Sequence, residues 1–107
     1  MQLHASSLAT GIVTGQALVA APGAGKRITV LGYAVSVGST ASNVSLIDSL
    51  TSANTKAWQF GPNGHAESGI GRWELTANAA LNLTTSANGP TDVQVDYVIE
   101  STGGTGN

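Results

Sequence analysis

Apolar and polar residues alternate along most of this chain, and no stretch repeats apolar residues at helical spacing. A period of two is typical of a β-strand with one buried face. The final strand-forming segment shows it most clearly, with an apolar and a polar phase: Val93, Val95, Tyr97 and Ile99, against Asp92, Gln94, Asp96 and Glu100. The pattern therefore predicts an all-β protein.

Turn signals rich in Gly, Pro, Asn and Ser separate the alternating segments. About seven or eight short strands, at intervals of roughly 8–12 residues, indicate a two-sheet antiparallel sandwich or a barrel. Long cross-connections favour a jelly roll of about eight short strands. An immunoglobulin-like strand order is the alternative. The assigned strands are residues 11–20, 26–37, 43–48, 56–60, 71–77, 80–85 and 92–100.

The length of 107 residues predicts one β-sandwich domain over residues 1–107. Residues 1–10 are either an edge strand or an N-terminal arm. Residues 65–69 are predicted to be irregular, and the Gly-rich residues 101–107 a flexible tail.

The longest predicted strand, Lys26–Val37, changes phase part-way along. Its apolar residues fall into two sets: Ile28 and Val30, then Tyr33, Val35 and Val37. Gly32 lies at the switch, so we expect a bulge or sharp bend there. A strand that changes face in this way is typical of a sandwich corner.

The composition indicates a modest core and a weakly charged surface. Charged residues make up 9% of the chain, against about 25% in ordinary domains, while 41% of residues are hydrophobic. Without Cys there are no disulfides, so oligomerisation is the expected additional source of stability. Outward positions hold mainly Thr, Ser, Asn and Ala, which suits permanent contact with other subunits, although some secreted β proteins share this composition.

The charges argue against several partners. Four basic residues and a net charge of −2 cannot form an extended phosphate-binding surface, so no direct nucleic-acid contact is expected. No signal-peptide pattern and no apolar stretch of transmembrane length is present, so we expect no membrane association.

The run Gly23-Ala24-Gly25-Lys26-Arg27 superficially matches a phosphate-binding loop. That motif needs a Gly five residues before its Gly-Lys pair and a Ser or Thr after the Lys. Ala20 and Arg27 occupy those positions here, and a strand follows instead of a helix. We therefore predict a hairpin turn.

No other group of residues has the spacing of a catalytic or metal site. His65 and Glu67 would share a face of a strand, which indicates a surface pair, with a metal on an oligomer axis as the alternative. A nucleophile elbow is absent, and most acids occupy outward positions, where Asp92, Asp96 and Glu100 are expected to be solvated. We predict no catalytic, cofactor-binding or metal-binding residue, no cofactor and no enzymatic activity.

Three aromatic residues, Trp58, Phe60 and Trp73, fall at inward positions of the predicted strands. Aromatic side chains contribute much of the buried area of small cores, and exposed ones form platforms that stack on sugars. We expect core packing here.

Two segments resemble parts of small all-β proteins from tailed-phage structural modules. They are the run Val19–Ile28 followed by Val30-Leu31-Gly32-Tyr33, and the closing strand Val93–Val98. Over residues 11–100 the chain is similar to the jelly-roll decoration (cement) proteins of phage heads. The resemblance implies that the protein forms a homotrimer on local threefold axes of an icosahedral shell. The trimer would stabilise the shell after DNA packaging.

The same resemblance implies the major capsid protein as partner and a place on the capsid exterior, after assembly in the host cytoplasm. In such proteins an N-terminal segment often grips the capsid, so the expected contact residues are Gln2, Leu3, His4 and Leu8. An uncharged sheet face is expected to form the trimer seam, whose residues the sequence does not identify. The alternative is a receptor- or glycan-binding module of a tail fibre, tail tip or baseplate, which would need Trp58 or Trp73 to be exposed.

Overall fold

The computed structural model describes residues 2–68, 71–87 and 89–102, which form two antiparallel sheets. Residues 103–107 of the predicted flexible tail lie outside the described residues. The strands are β1 (Leu3–Ala9), β2 (Gln16–Val19), β3 (Lys26–Val37), β4 (Ser42–Asp48), β5 (Thr55–Phe60), β6 (His65–Ser68), β7 (Trp73–Glu74), β8 (Leu81–Thr85) and β9 (Thr91–Ser101). The predicted all-β antiparallel sandwich is confirmed.

The strand order is that of a jelly roll. One sheet has the order β1-β9-β3-β6, with β7 also paired to β3, and the other has the order β2-β8-β4-β5. Because β9 covers one edge of β3, β6 and β7 share its other edge as two pieces of one strand position. The strand pairs are therefore nested along the chain, as in one long hairpin that is folded over. The strands nearest the middle of the chain, β4 and β5, pair with each other, and the first strand, β1, pairs with the last, β9.

The core lies between the sheets and consists of aliphatic side chains. No aromatic ring is fully buried among the described residues. Tyr33, Trp58, Phe60, Trp73 and Tyr97 are half-buried and pack against the edges of the core. The buried hydrophobic residues are Val19, Ile28, Val30, Val35, Val37, Val44, Leu46, Leu75, Ala79, Leu81, Leu83, Val93 and Val95.

The predicted irregularity in β3 is a bulge, because its register against β9 shifts between Val30 and Gly32. Our expectation that the strand changes face there was wrong. Val30 and Val35 are 2% and 1% exposed and belong to the same core. The extra residue at the bulge shifts the alternation by one position. The apolar side chains of both halves of β3 therefore point into the same core.

Three predicted segments differ from the structure. The strand predicted at residues 11–20 is only Gln16–Val19, because residues 11–15 cross between the sheets and bond to β8 mainly through the hydroxyls of Thr84 and Thr85 instead of through a regular backbone ladder. The strand predicted at 71–77 shortens to Trp73–Glu74, since the Thr76 N–H bonds to a side chain of β4. Residues 65–68, predicted to be irregular, form β6 at an edge, where backbone pairing needs little apolar burial.

Candidate interaction surfaces

The charged side chains are concentrated on one of the two sheets. Of the four basic and six acidic residues, Asp48 is buried, and Lys56 places its Nζ 5.7 Å from the centroid of the Trp73 ring. The other eight lie on the five-stranded sheet or directly beside it: Lys26, Arg27, Glu67, Arg72, Glu74, Asp92, Asp96 and Glu100.

The outer face of the four-stranded sheet carries only uncharged side chains, most of them short. Its positions follow from the register, because Val44 and Leu46 are fully buried and their neighbours on β4 point outward. Ser45 lies at the centre, opposite Ala57 on one side and Thr84 on the other. We call this set the neutral face: Asn43, Ser45, Ile47, Thr55, Ala57, Gln59, Asn82 and Thr84.

The outer face of the five-stranded sheet, unlike the neutral face, carries acidic and histidine side chains at the end near β6. The His4 ring Nδ1 lies 2.8 Å from Oδ1 of Asp96, a side-chain link between β1 and β9. The set contains three acids and two histidines but no Lys or Arg. We call it the acidic face: His4, Ser6, Leu8, Ala34, Ser36, His65, Glu67, Asp92, Gln94 and Asp96.

Beyond the bulge of β3, the same sheet carries a cluster of two arginines and two glutamates. Arg72 Nη2 donates to Glu100 Oε1 at 2.6 Å and to Glu74 Oε2 at 3.2 Å. Arg27 Nη2 donates to the same Glu74 oxygen at 3.2 Å. The buried Thr29 hydroxyl donates to Glu100 at 2.6 Å; this bond, followed by that from Arg72, lowers the pKa of Glu100. The glutamates raise the pKa of Arg72. The cluster ties β7 to β3 and β9.

Asp48 is an exception to the outward position predicted for most acids, since it is 1% exposed at the end of β4. Its Oδ1 accepts the N–H groups of Leu50 and Thr51, at 2.9 and 3.0 Å. Its Oδ2 accepts from Asn54 Nδ2 and from both donors of Thr76. Burial opposes ionisation, yet these hydrogen bonds outweigh it and lower the pKa of Asp48. The sequence indicates this burial, because Asp48 falls at the same alternating positions of β4 as Val44 and Leu46.

The residues expected to contact a capsid are not gathered into one patch. Gln2, His4 and Leu8 are exposed, and Leu8 is 73% exposed. Leu3 points to the opposite side of β1, where its register partner is Tyr97. Residues 3–9, which the sequence left as edge strand or arm, form the edge strand β1.

The other candidate groups are placed by the strands as follows. His65 and Glu67 share the exposed side of β6, as their spacing predicted. Asp96 pairs with His4 while Glu100 belongs to the arginine cluster, so these acids form no common site. Within the described ranges, no three His, Cys, Asp or Glu side chains are placed to hold a metal ion.

The Gly23–Arg27 run forms a turn, with the Lys26 N–H donating to the Gly23 carbonyl at 3.2 Å. The prediction of a hairpin was wrong, because β2 and β3 belong to different sheets and this turn connects them.

The aromatic side chains are arranged around one side of the sandwich. Trp58 stacks near Phe60, with ring centroids 6.2 Å apart, and contacts Tyr33 from the other sheet at 5.1 Å. Trp73 donates its indole N–H to Asn54 Oδ1 at 2.6 Å. These rings join the two sheets and do not form an open platform. In the part of the chain that is described, no helix is long and apolar enough to cross a membrane.

Comparisons with known proteins identify no family. No protein-family model matches the chain, and no curated protein matches it. Among solved structures, the chain is similar to a chain of the "Cyanophage Pam1 capsid asymmetric unit", with 17% identity and a TM-score of 0.48, over 91% of this chain and 82% of that one. The jelly-roll assignment rests on the strand order and does not depend on this likeness.

Proposed function

We propose that this protein is a structural virion protein: a decoration (cement) protein that binds the outside of an icosahedral phage head and stabilises it as a trimer. The neutral face is the observation that carries the proposal. Short side chains lose little rotamer entropy when they are covered, and uncharged ones need no counter-charge. A small domain that stands alone normally keeps about 25–35% of its surface residues charged, and this sheet face carries none.

The resemblance of residues 11–100 to jelly-roll decoration proteins supports the choice of assembly. In this proposal the neutral face forms the trimer seam, and β1 with one end of the sandwich contacts the major capsid protein. A trimer presents three identical footprints, so weak contacts add up to high avidity. The protein would assemble in the host cytoplasm, reside on the capsid exterior, and act without enzymatic activity or contact with nucleic acid or membrane.

The alternative, a receptor- or glycan-binding module of a tail fibre, tail tip or baseplate, is less well supported. Sugar stacking requires a ring face that is open to solvent. Trp58 and Trp73 are half-buried and pack against the core, and the Trp73 indole N–H already has a partner.

The seam is tested by native mass measured at micromolar and then nanomolar concentration. We expect a trimer that persists on dilution. Ser45→Lys should abolish the trimer, because it places a charge at the centre of the neutral face. Ala34→Lys is the matched control, at an exposed central position of the other sheet, and should leave the trimer intact. A stable wild-type monomer, or a trimeric Ser45→Lys variant, would contradict the seam.

The capsid role is tested by adding the purified protein to phage heads that lack it and imaging them by cryo-electron microscopy. Saturable density at threefold positions on the shell is the expected result. Absence of binding, or density on the tail alone, would overturn the decoration role and favour the alternative.

A further inference from the structure

The two sheets have four outer edges, and three of them carry features that hinder pairing with another chain. Such features are short strands, bulges and inward-pointing or edge charges. β2 is four residues long and shifts register between Ala17 and Val19. β5 carries Lys56 at a position opposite the buried Leu46, so a charged residue occupies an inward position of that edge.

The edge beyond β3 is protected in a third way. It is divided into β6 and β7, which are four and two residues long. It also carries charged residues, Glu67 on β6 and Glu74 on β7. Neither piece offers a long continuous row of backbone donors and acceptors.

The fourth edge, β1, has none of these features. It is seven residues long, contains no Asp, Glu, Lys, Arg, Pro or Gly, and pairs with β9 without a register shift. On its other side it pairs with no strand of the described residues. An edge of this kind is a template for a further strand.

We propose that the free edge of β1 pairs antiparallel with β1 of a second copy of this chain, about a two-fold axis at Ser6. Ser6 is the central residue of Leu3–Ala9, so this register alone matches all seven residues of both strands. Ser6 then lies opposite Ser6 of the second copy, and His4 lies opposite Leu8. Two seven-residue edges in this arrangement form about seven backbone hydrogen bonds, roughly one for each residue pair.

The charges favour a second copy as the occupant. No charged side chain of β1 opposes another, so identical strands meet without like-charge repulsion. The nearest acids, Asp92 and Asp96, lie one strand further in on β9. Across the joined sheet, the two copies of β9 are about 14 Å apart, beyond the Debye length of about 8 Å.

The two-fold contact is separate from the proposed trimer seam. The neutral face belongs to the four-stranded sheet, whereas β1 is the edge of the five-stranded sheet. Both contacts can therefore form at once, and either can exist without the other. The pairing uses the backbone edge of β1, whereas the proposed capsid contact uses its exposed side chains, such as those of His4 and Leu8.

A single cysteine at the axis tests the proposal, because the chain has no native Cys. Residues that face each other across antiparallel strands have Cα atoms about 4.5–5.5 Å apart, within disulfide range. Ser6→Cys should therefore give a covalent dimer under mild oxidation, read on a denaturing non-reducing gel. This readout does not depend on whether trimers form.

Gln94→Cys is the matched control, since Gln94 is exposed and pairs with Ser6 on the neighbouring strand. In the proposed dimer, the cysteines of two Gln94→Cys chains would lie about three strand spacings apart, too far for a disulfide. Ser6→Cys dimers forming at least tenfold faster than Gln94→Cys dimers support the pairing. Equal rates of the two, fast or slow, would overturn it.

A second pair of variants removes the contact instead of trapping it. Ser6→Lys places two ammonium groups opposite each other at the axis, and should raise the dissociation constant of the edge contact at least tenfold by sedimentation velocity. Gln94→Lys should leave it unchanged. Circular dichroism and thermal melting of each variant establish that the fold is intact. An unchanged dissociation constant in a folded Ser6→Lys variant would refute the proposal.

Discussion

One carboxylate oxygen of Asp48 accepts both the backbone N–H and the hydroxyl of Thr76, at 2.7 and 2.8 Å, although the two residues are 28 positions apart. The other oxygen caps the loop that follows β4. Asn54 extends the network by bonding to Asp48, to the Glu74 carbonyl and to the Trp73 indole. A single buried acid thus joins the end of β4 to the segment after β7.

Asp48→Asn should lower the free energy of unfolding by about 2–4 kcal/mol, measured by urea denaturation. The substitution replaces an acceptor oxygen by an NH2 group that faces N–H donors, and it removes the charge that strengthens the remaining bonds. Asp92→Asn is the control, on the outer face of β9, and should change stability by less than about 0.5 kcal/mol. Equal effects of the two substitutions would show that the network contributes little.

Stability should fall in acid. The folded-state pKa of Asp48 lies below its unfolded value, so its contribution is complete above about pH 4 and is lost as the pH falls through the folded pKa. The lowered pKa of Glu100 acts in the same direction. Thermal midpoints measured between about pH 6 and pH 2 should therefore decrease, and less steeply for Asp48→Asn than for the wild type. Parallel curves for the two proteins would contradict the assignment to Asp48.

Gly38→Ala should destabilise the protein by about 1–3 kcal/mol through overpacking. A Cβ at Gly38 would lie 2.8 Å from Cγ of Pro90, in a loop contact that also includes the hydrogen bond from the Gly38 N–H to the Pro90 carbonyl. Gly61→Ala is the control, because a Cβ there meets no atom within 4 Å. Thermal melting of both variants checks this, and equal midpoints would show that Pro90 moves aside freely.

The tryptophan emission should be blue-shifted from that of free tryptophan and only weakly quenched by iodide. Trp58 packs between the two sheets and Trp73 is bonded to Asn54. Asn54→Ala should shift the emission to the red by freeing the Trp73 indole, whereas Ser52→Ala, in the same loop, should not. Strong quenching of the wild type, or a spectral response to added oligosaccharides, would favour the tail-fibre alternative.

Strands with long, regular alternation could be predicted from the sequence almost to the residue. β3 has the predicted bounds, and Gly32 marked its bulge because a phase change needs an extra residue. β9 extends one residue beyond the prediction at each end. These segments cross the core, so their own side chains report which face is buried.

Features that depend on distant parts of the chain could not be predicted in this way. β6 has no apolar alternation, and it is a strand only because β3 offers it a backbone partner. Asp48 is in phase with the buried residues of β4, but its hydrogen-bond partner Thr76 lies in another segment. The residues around Asp48 therefore do not show whether a buried carboxylate would be hydrogen-bonded. The concentration of charge on one sheet likewise follows from strand order, which local sequence does not specify.

The position of β9 between β1 and β3 also sets the order of events when the chain is synthesised. His4 and Asp96 touch although they are 92 residues apart, and β3 lacks its main partner until residues 91–101 have left the ribosome. Folding of the five-stranded sheet must therefore follow translation of nearly the entire domain. Such non-local pairing is typical of domains that fold over milliseconds to seconds, with strand edges open in the meantime.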